Sequence, residues 1–395
     1  MSACGACLSL DFAPFFRAGE WSTSGRYLAQ PAAAGEPVDI VLECCRGCGL
    51  IRQSPSAIVR LDYVAIERGT AKQLPSYAER IIGSLSEYGV GAGDLVVEVG
   101  ANDGTFLKEL RNSGFRNLLG IEPSRQLAAL GAQAGFDVEA RYFGRELARE
   151  IVAKRGPAKA VVCRHTLEHV PDIQGLAAGI AEVLAPGGLG FVEVPDTDWV
   201  VTRLFAHEIW DEHVTYFRAG SLARLLRGVG LEPVRLVRER FRDTRNLLCW
   251  SVRGGALAVP QGAVAADEAD AEAVSGFQAR WDRFAQRLRA TVRAAPKPIV
   301  AIGASHIQLN FLNFTGLGGE VDLLIDDDPV KAGRYAPLAR AVPIRSTADA
   351  LARVTRGTVL RTAFPYPEWE ERICRALAER GVGAIAPYAL EGRVT

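Results

Sequence analysis

The sequence predicts an α/β protein. Its centre is a Rossmann-like, doubly wound parallel sheet, with a small cysteine-bearing lobe ahead of it and a second, smaller α/β domain behind. Three observations predict this. Apolar runs of strand length alternate with helical segments through the middle of the chain, two CxxC pairs stand before residue 50, and a fresh strand and turn begin after the Pro-Lys-Pro at 296–298. At 395 residues the chain is also too long for one ordinary core.

Composition narrows the partners. The chain is 48% hydrophobic and 23% charged, which suits a globular protein with a real core. Lys plus Arg and Asp plus Glu both number 46, so no global field draws nucleic acid or an anionic membrane. No apolar run approaches the roughly 18 residues of a membrane span. The opening MSACGACLSLDF lacks a basic region followed by an apolar block. A cytoplasmic protein is expected, a monomer or homodimer acting on a small molecule.

In a reducing compartment clustered cysteines read as metal ligands. Cys4 with Cys7 and Cys45 with Cys48 form two CxxC hairpins, with Gly5, Gly47 and Gly49 leaving room for tight turns. Four thiolates so arranged can hold one structural Zn2+ tetrahedrally, with no open position for chemistry. The polar stretch between the pairs builds no core of its own. Cys44 is expected to point away from the metal, and Cys163, Cys249 and Cys374 to be inert core residues.

Helical spacing from about Tyr63 to Tyr88 leads into GAGDLVVEVGANDG, a turn, a buried strand and a Gly-rich turn, with a helix from Thr105 to Arg111. NLLGIEP, AVVCRHTL and LGFVEVP are the next strands, with helices over Ser124–Ala134 and Gly175–Leu184 between them. The glycines after Val96–Val99 let backbone approach a ligand, and Glu122, ending the next strand, can accept both hydroxyl hydrogens of a ribose. Neither GxGxxG nor GxxxxGK[ST] occurs, which disfavours a dinucleotide or a triphosphate.

EVGANDG, IEP, RHTLEHVPD and LAPGGLGFVEVP resemble the successive motifs of class I S-adenosylmethionine methyltransferases. The resemblance implies that Glu98, Gly100, Asn102 and Gly104 line the methionine side of that donor, that Glu122 holds its ribose, and that His165 faces the adenosine and sulfonium. His169 is read equally as a ligand contact or as a histidine capping the next turn.

After FVEVP, Ile209–Phe217 gathers an acid, an imidazole and a phenol at the end of the sheet where such folds bind ligands. His213 has an unperturbed pKa near neutrality and is the candidate base, with Glu212 beside it to orient or tune it. The plain alternative is a solvated loop ahead of a helix at Ser221.

Residues 256–295 read as one linking amphipathic helix, with Phe277, Trp281, Phe284, Leu288 and Val292 at three- and four-residue steps. KPIVAIGASH, DLLIDDDP and TVLRTAF then supply strands of the last domain. A CxxC lobe, this core, a DEHxxxF segment and the C-terminal GLGGEVDLLIDDDPVKAGRYAP together resemble the sugar C-methyltransferase family. Its members deprotonate a nucleotide-linked ketosugar beside the keto group, and the enolate takes the methyl. The resemblance implies Glu212 and His213 as the Glu-His pair, His213 as the base, and Cys4, Cys7, Cys45 and Cys48 as zinc ligands.

Two departures stand out. Trp210 replaces the family's Tyr, whose role either passes to Tyr216 or is absent. GASHIQLN puts Ile307, Gln308 and Leu309 where the family has Lys, Gly and Asn. The expected parts are a zinc-binding lobe at 1–62, a methyltransferase domain at 63–255, and the linking helix with the last domain at 256–395. The rival readings are O- or N-methyl transfer to another small acceptor, and a non-catalytic zinc-stabilised binding module. Arg164 and Arg245 are the arginines to inspect for a phosphate or carboxylate partner.

Overall fold

The computed structural model describes residues 2–21, 27–31, 38–55, 77–241, 244–254, 262–361 and 367–391. Strands β1 (Phe12–Trp21), β2 (Val38–Cys45) and β3 (Ile51–Gln53) pair antiparallel in that order. The helical spacing read from Tyr63 lies outside the described residues as far as 76, and continues as α1 (Ala78–Glu87).

The central sheet opens with β4 (Val96–Val99), followed by α2 (Thr105–Asn112), β5 (Leu118–Ile121), α3 (Arg125–Gln133), β6 (Asp137–Glu139), α4 (Arg145–Arg155) and β7 (Ala158–Arg164). Then come α5 (Ile173–Val183), β8 (Leu184–Pro195), α6 (Thr197–Arg203), the two-residue β9 (Thr215–Tyr216), α7 (Ala219–Gly228), β10 (Leu231–Phe241) and β11 (Thr244–Arg253). The Ser124 hydroxyl caps α3 and Asp172 caps α5, so these helices begin one and two residues from where the sequence placed their starts. The sheet order is β10-β11-β8-β7-β4-β5-β6. All four residues of β4 are buried, as a strand covered on both faces requires. The sheet is the doubly wound parallel one expected, with β11 running antiparallel between β8 and β10. A two-strand hairpin turning back on itself supplies that edge, and period-2 patterning says nothing about direction.

The linking region is α8 (Ala271–Ser275) and α9 (Phe277–Ala294), and the five apolar residues at helical steps are all buried. The last sheet contains β12 (Ile299–Ile302), β13 (Leu323–Ile325), β14 (Tyr335–Pro337), β15 (Ala341–Arg345), β16 (Thr358–Leu360) and β17 (Gly383–Ile385). Its helices are α10 (His306–Phe314), α11 (Thr347–Arg353) and α12 (Pro367–Ala378), and its order is β14-β15-β13-β12-β16-β17, parallel except for β14. Among the described residues no helix is long and apolar enough to cross a membrane.

The first lobe is less polar at heart than its sequence suggests. Phe15 stacks on Phe277 at 4.9 Å, and Phe16 meets Phe277, Trp281 and Phe314 edge-on. Burying two phenylalanines against α9 contributes on the order of 2 kcal/mol each, so apolar packing as well as any metal holds this lobe.

Behind Trp210, His207 is 3% exposed, ringed by Phe205, Phe311 and Tyr388, with the Tyr388 hydroxyl 2.8 Å from Nδ1. Burial, and next the charge of His306, push its pKa down to about 3. The folded chain keeps this ring neutral, whereas the unfolded chain protonates it near pH 6.5. The stabilisation is therefore complete above about pH 6.5 and is lost as pH falls toward 3, at roughly 1.4 kcal/mol per pH unit. Between about pH 7 and about pH 5 the wild type should lose about 2 kcal/mol more unfolding free energy than His207→Gln, measured by urea titration. Equal losses would refute this.

Candidate active site

β4 lies between β5 on one side and β7 on the other, where the strand order reverses, so a crevice opens at the strands' C-terminal ends. The chain leaves β4 through Gly100 (φ 79°), Asn102 (φ 51°) and Gly104 (φ 83°), all in the left-handed region. At Gly100 a Cβ would run into the Thr166 hydroxyl. The Asn102 and Ser124 N–H groups donate to the two oxygens of Glu122, at 3.0 and 2.8 Å, which fixes that carboxylate at the end of β5. Glu98 is 4% exposed, its Oε2 finds no hydrogen-bond partner among the described residues, and burial pushes its pKa up to about 8. A buried unsatisfied carboxyl oxygen is costly, and the ammonium of an amino-acid-bearing ligand in the turn answers it. The residues present fit S-adenosylmethionine.

On the other side of the crevice is the loop that ends in β9. β9 is a strand of the first sheet: Ile51 pairs with Tyr216 and Arg52 with Thr215. Gln53, 1% exposed, donates its side-chain amide to the carbonyls of Asp211 (2.9 Å) and His213 (3.0 Å), and its own N–H to Val214. The Tyr216 hydroxyl donates to the Trp210 carbonyl at 2.8 Å and accepts from the Trp210 N–H at 3.1 Å. That corrects the expectation that Tyr216 takes over the missing phenol's role: its oxygen closes the loop, and burial raises its pKa. The Glu212 carbonyl lies 3.0 Å from His169 Nδ1, and since a carbonyl only accepts, Nδ1 carries the proton. His169 thus braces the loop.

Four of the chain's five histidines, His165, His169, His213 and His306, come together beside this loop, while His207 is buried among Phe205, Phe311 and Tyr388. The His213 ring lies 4.7 Å from His169, 5.1 Å from Trp210 and 5.9 Å from Tyr216. His306, opening α10, stacks on Trp210 at 4.6 Å and 19°. Burial, then His169, His306 and His165, hold His213 well below the usual imidazole range, so its ring is neutral at physiological pH. His165 is the opposite case. Burial would lower it, but Glu193 and Glu168 outweigh that and push it up to about 10, although 43% of its side chain is exposed.

Sequence reasoning missed the group that holds His165. Glu193, 0% exposed near the C-terminal end of β8, accepts from Arg164 (2.6 Å), the Tyr77 hydroxyl (2.6 Å) and Asn246 (3.1 Å), and lies 3.3 Å from His165 Nε2. Burial opposes its charge, but Arg164 and His165 hold it ionised. A lone charge inside the apolar run FVEVP was the available signal; Gln53, Tyr77 and Asn246 carried none. Arg164 and Arg245 are the carboxylate-binding arginines anticipated, but their partners are the chain's own Glu193, Asp196 and Glu268.

The four CxxC sulfurs also converge. Cys4 Sγ lies 3.6 Å from Cys48 Sγ, and Cys7 Sγ 3.5 Å from Cys45 Sγ, near the edge of roughly 3.8 Å that four Zn–S bonds of about 2.3 Å define. N–H groups of Ala6 and Cys7 point at the Cys4 sulfur, and those of Gly47 and Cys48 at that of Cys45. The Cys48 hydrogen bond pushes Cys4 down to about 5, and Cys48 rises in exchange. These residues could hold a tetrahedral metal ion. Cys44, on the opposite face of β2, packs into the apolar cluster around α9, where burial pushes it up to about 11. Cys163, Cys249 and Cys374 are buried, with thiol pKa values raised by burial.

Residues 71–236 match the family model of a methyltransferase domain, and 263–360 that of a C-methyltransferase C-terminal domain. The fold and the donor turn define an S-adenosylmethionine-dependent methyltransferase. The C-methyltransferase NovU of Streptomyces niveus is 30% identical over 383 residues, covering 89% of this chain and 87% of its own length. The chain belongs to the C-methyltransferase family that includes NovU. A ubiquinone biosynthesis O-methyltransferase of Leptothrix cholodnii is 26% identical over 174 residues, 40% of this chain and 69% of that protein. The crystal structure of magnesium protoporphyrin IX methyltransferase from Synechocystis PCC 6803 with bound S-adenosylmethionine aligns at a TM-score of 0.36 and 14% identity, covering 50% and 86% of the two chains.

Gly100→Ala adds a Cβ both against Thr166 and at a positive φ. Donor affinity measured by calorimetry should fall roughly tenfold or more, as a strain of about 1–3 kcal/mol dictates. Unchanged affinity would show that the donor does not rest on this turn.

Proposed function

We propose that the protein methylates the carbon beside the keto group of a nucleotide-linked sugar, with His213 as general base. The supporting observation is the gathering of His165, His169 and His306 around His213 beside the donor turn, with His213 kept neutral among them. A neutral imidazole has a lone pair for a carbon-bound proton, and the electrons of the C–H bond pass into the enolate. Bound S-adenosylmethionine supplies an electrophilic methyl, which the α-carbon takes from sulfur. His213 then gives its proton to solvent. Glu212, through its carbonyl on His169, positions the base. Glu98, Gly100, Asn102, Gly104 and Glu122 form the donor site in this reading, and the charged His165, beside Glu193, belongs to the side of the crevice that meets the acceptor. The membership shared with NovU supports carbon as the methylated atom. The parts at 1–62, 63–255 and 256–395 serve respectively to brace the base loop, hold the donor and close over the acceptor.

The test uses a deuteriomethyl donor and a panel of nucleotide-linked 4-ketosugars, with products read by mass spectrometry and carbon-proton NMR. A new carbon-bound CD3 is expected, and methyl on oxygen or nitrogen would overturn the reading. His213→Asn should lower turnover about a hundredfold or more with donor affinity retained, and should abolish exchange of the α-proton with D2O in the donor's absence. Wild-type turnover in this variant would remove His213 from the role.

The same reading takes the four cysteines as a structural zinc site. Stripping the metal with a chelator, or Cys45→Ser, should release about one zinc per chain by elemental analysis and reduce turnover while donor affinity changes little, because the donor turn lies in another sheet. Loss of donor binding in parallel with zinc would contradict this.

A further inference from the structure

We propose that Glu168, His169 and His213 form a second divalent-cation site, separate from the cysteine lobe, and that filling it switches the enzyme off. One ligand atom from each, two imidazole nitrogens and a carboxylate oxygen, lie within 4.8 Å of one another. That donor set suits a borderline cation such as Zn2+, Co2+ or Ni2+ and leaves at least one coordination position open.

Two further observations point to a ligand there. The Glu168 side chain is 2% exposed: its Oε1 faces His165 Nδ1 at 3.3 Å, but its Oε2 is buried without a hydrogen-bond partner among the described residues. A buried carboxylate oxygen left so is expensive, and a cation is what completes it. His169 gives its Nδ1 hydrogen to the Glu212 carbonyl, so Nε2 is the nitrogen with the lone pair. A backbone acceptor on the far nitrogen is the outer-shell support that metal-binding histidines use to fix ring and tautomer. The backbone holds the three residues together, since the Val214 N–H donates to the Glu168 carbonyl at 2.9 Å.

The inhibitory consequence rests on His213 being the base. Its lone pair can take a proton from the acceptor or bind a cation, but not both. Occupancy of this site and enolate formation therefore exclude each other.

The experiment starts from protein already carrying its lobe zinc and titrates Co2+, following ligand-field absorption and calorimetric heat. One further equivalent is expected, bound roughly tenfold or more weakly by Glu168→Gln and by His169→Gln. Donor binding in both variants verifies that the fold is intact. Co2+ should also suppress wild-type turnover, reversed by a chelator too weak to take the lobe zinc. No further equivalent, or one bound equally well by both variants, overturns the site. Binding that both variants lose, with wild-type turnover unaffected by Co2+, upholds the site but overturns His213 as the base, so the two failures are told apart.

Discussion

The loop from Trp210 to Val214 must do two incompatible things. It must present an imidazole to a crevice, and it must satisfy backbone groups shielded from water, which tolerate no vacancy. Helix would satisfy them but turn His213 away; an open loop would present it but leave carbonyls bare. The chain resolves this by borrowing from another lobe: Gln53 covers the carbonyls of Asp211 and His213, and β3 pairs with β9 immediately after. The placement of His213 thus depends on a three-residue strand whose own register is set by β2 and, through Cys45 and Cys48, by the cysteine cluster. The cysteine cluster has a reason to exist in this arrangement, because it fixes the strand that fixes His213.

Electrostatics then drives identical side chains apart. His165 faces two buried carboxylates and is cationic, whereas His207 and His213 are buried among aromatic and imidazole rings and stay neutral. Groups of one type whose surroundings push them apart are the usual mark of an acid/base site. The division is maintained by Glu193, whose ionisation depends on Arg164 and on hydrogen bonds from Tyr77 and Asn246. Three strands and the residue ahead of α1 meet at this one carboxylate. It holds a positive charge at the edge of the crevice without a solvated counterion.

What could be read from the sequence was what is local. VVEVGANDG and IEP carry their geometry within a few residues, because a buried strand, a left-handed glycine and a strand-end acid are adjacent in the chain. The CxxC pairs were legible because metal spacing is local too, and DEH was legible from residue type. The contacts that complete the site join residues far apart: Gln53 to His213, Asn246 to Tyr77, His306 to Trp210. No periodicity encodes them. β1 went unread because FAPFF, with a proline inside and bulges in its pairing, lacks clean alternation. The direction of β11 went unread because strand patterning is blind to it. Tyr216 was misjudged for a related reason: a phenol beside a histidine looks available until its hydrogen bonds to Trp210 are seen.

One segment ties the donor side to the base side. Within Arg164–His169, Arg164 grips Glu193, the Thr166 side chain sits against Gly100 and bonds to the Val99 carbonyl at 3.3 Å, the Glu168 carbonyl takes the Val214 N–H, and His169 takes the Glu212 carbonyl. His165 adopts φ 45°, a strained conformation for a non-glycine residue that persists only where the surroundings over-determine it. Here they do, with carboxylates on both edges of its ring. A short 3-10 turn pinned at both ends cannot shift at Thr166 without shifting at Glu168. Displacement of the donor turn is therefore transmitted to the loop that carries His213 over two residues of backbone. The donor turn and His213 are therefore coupled through one short backbone segment, with a packing contact at Gly100 and a hydrogen bond at Val214 as its two ends.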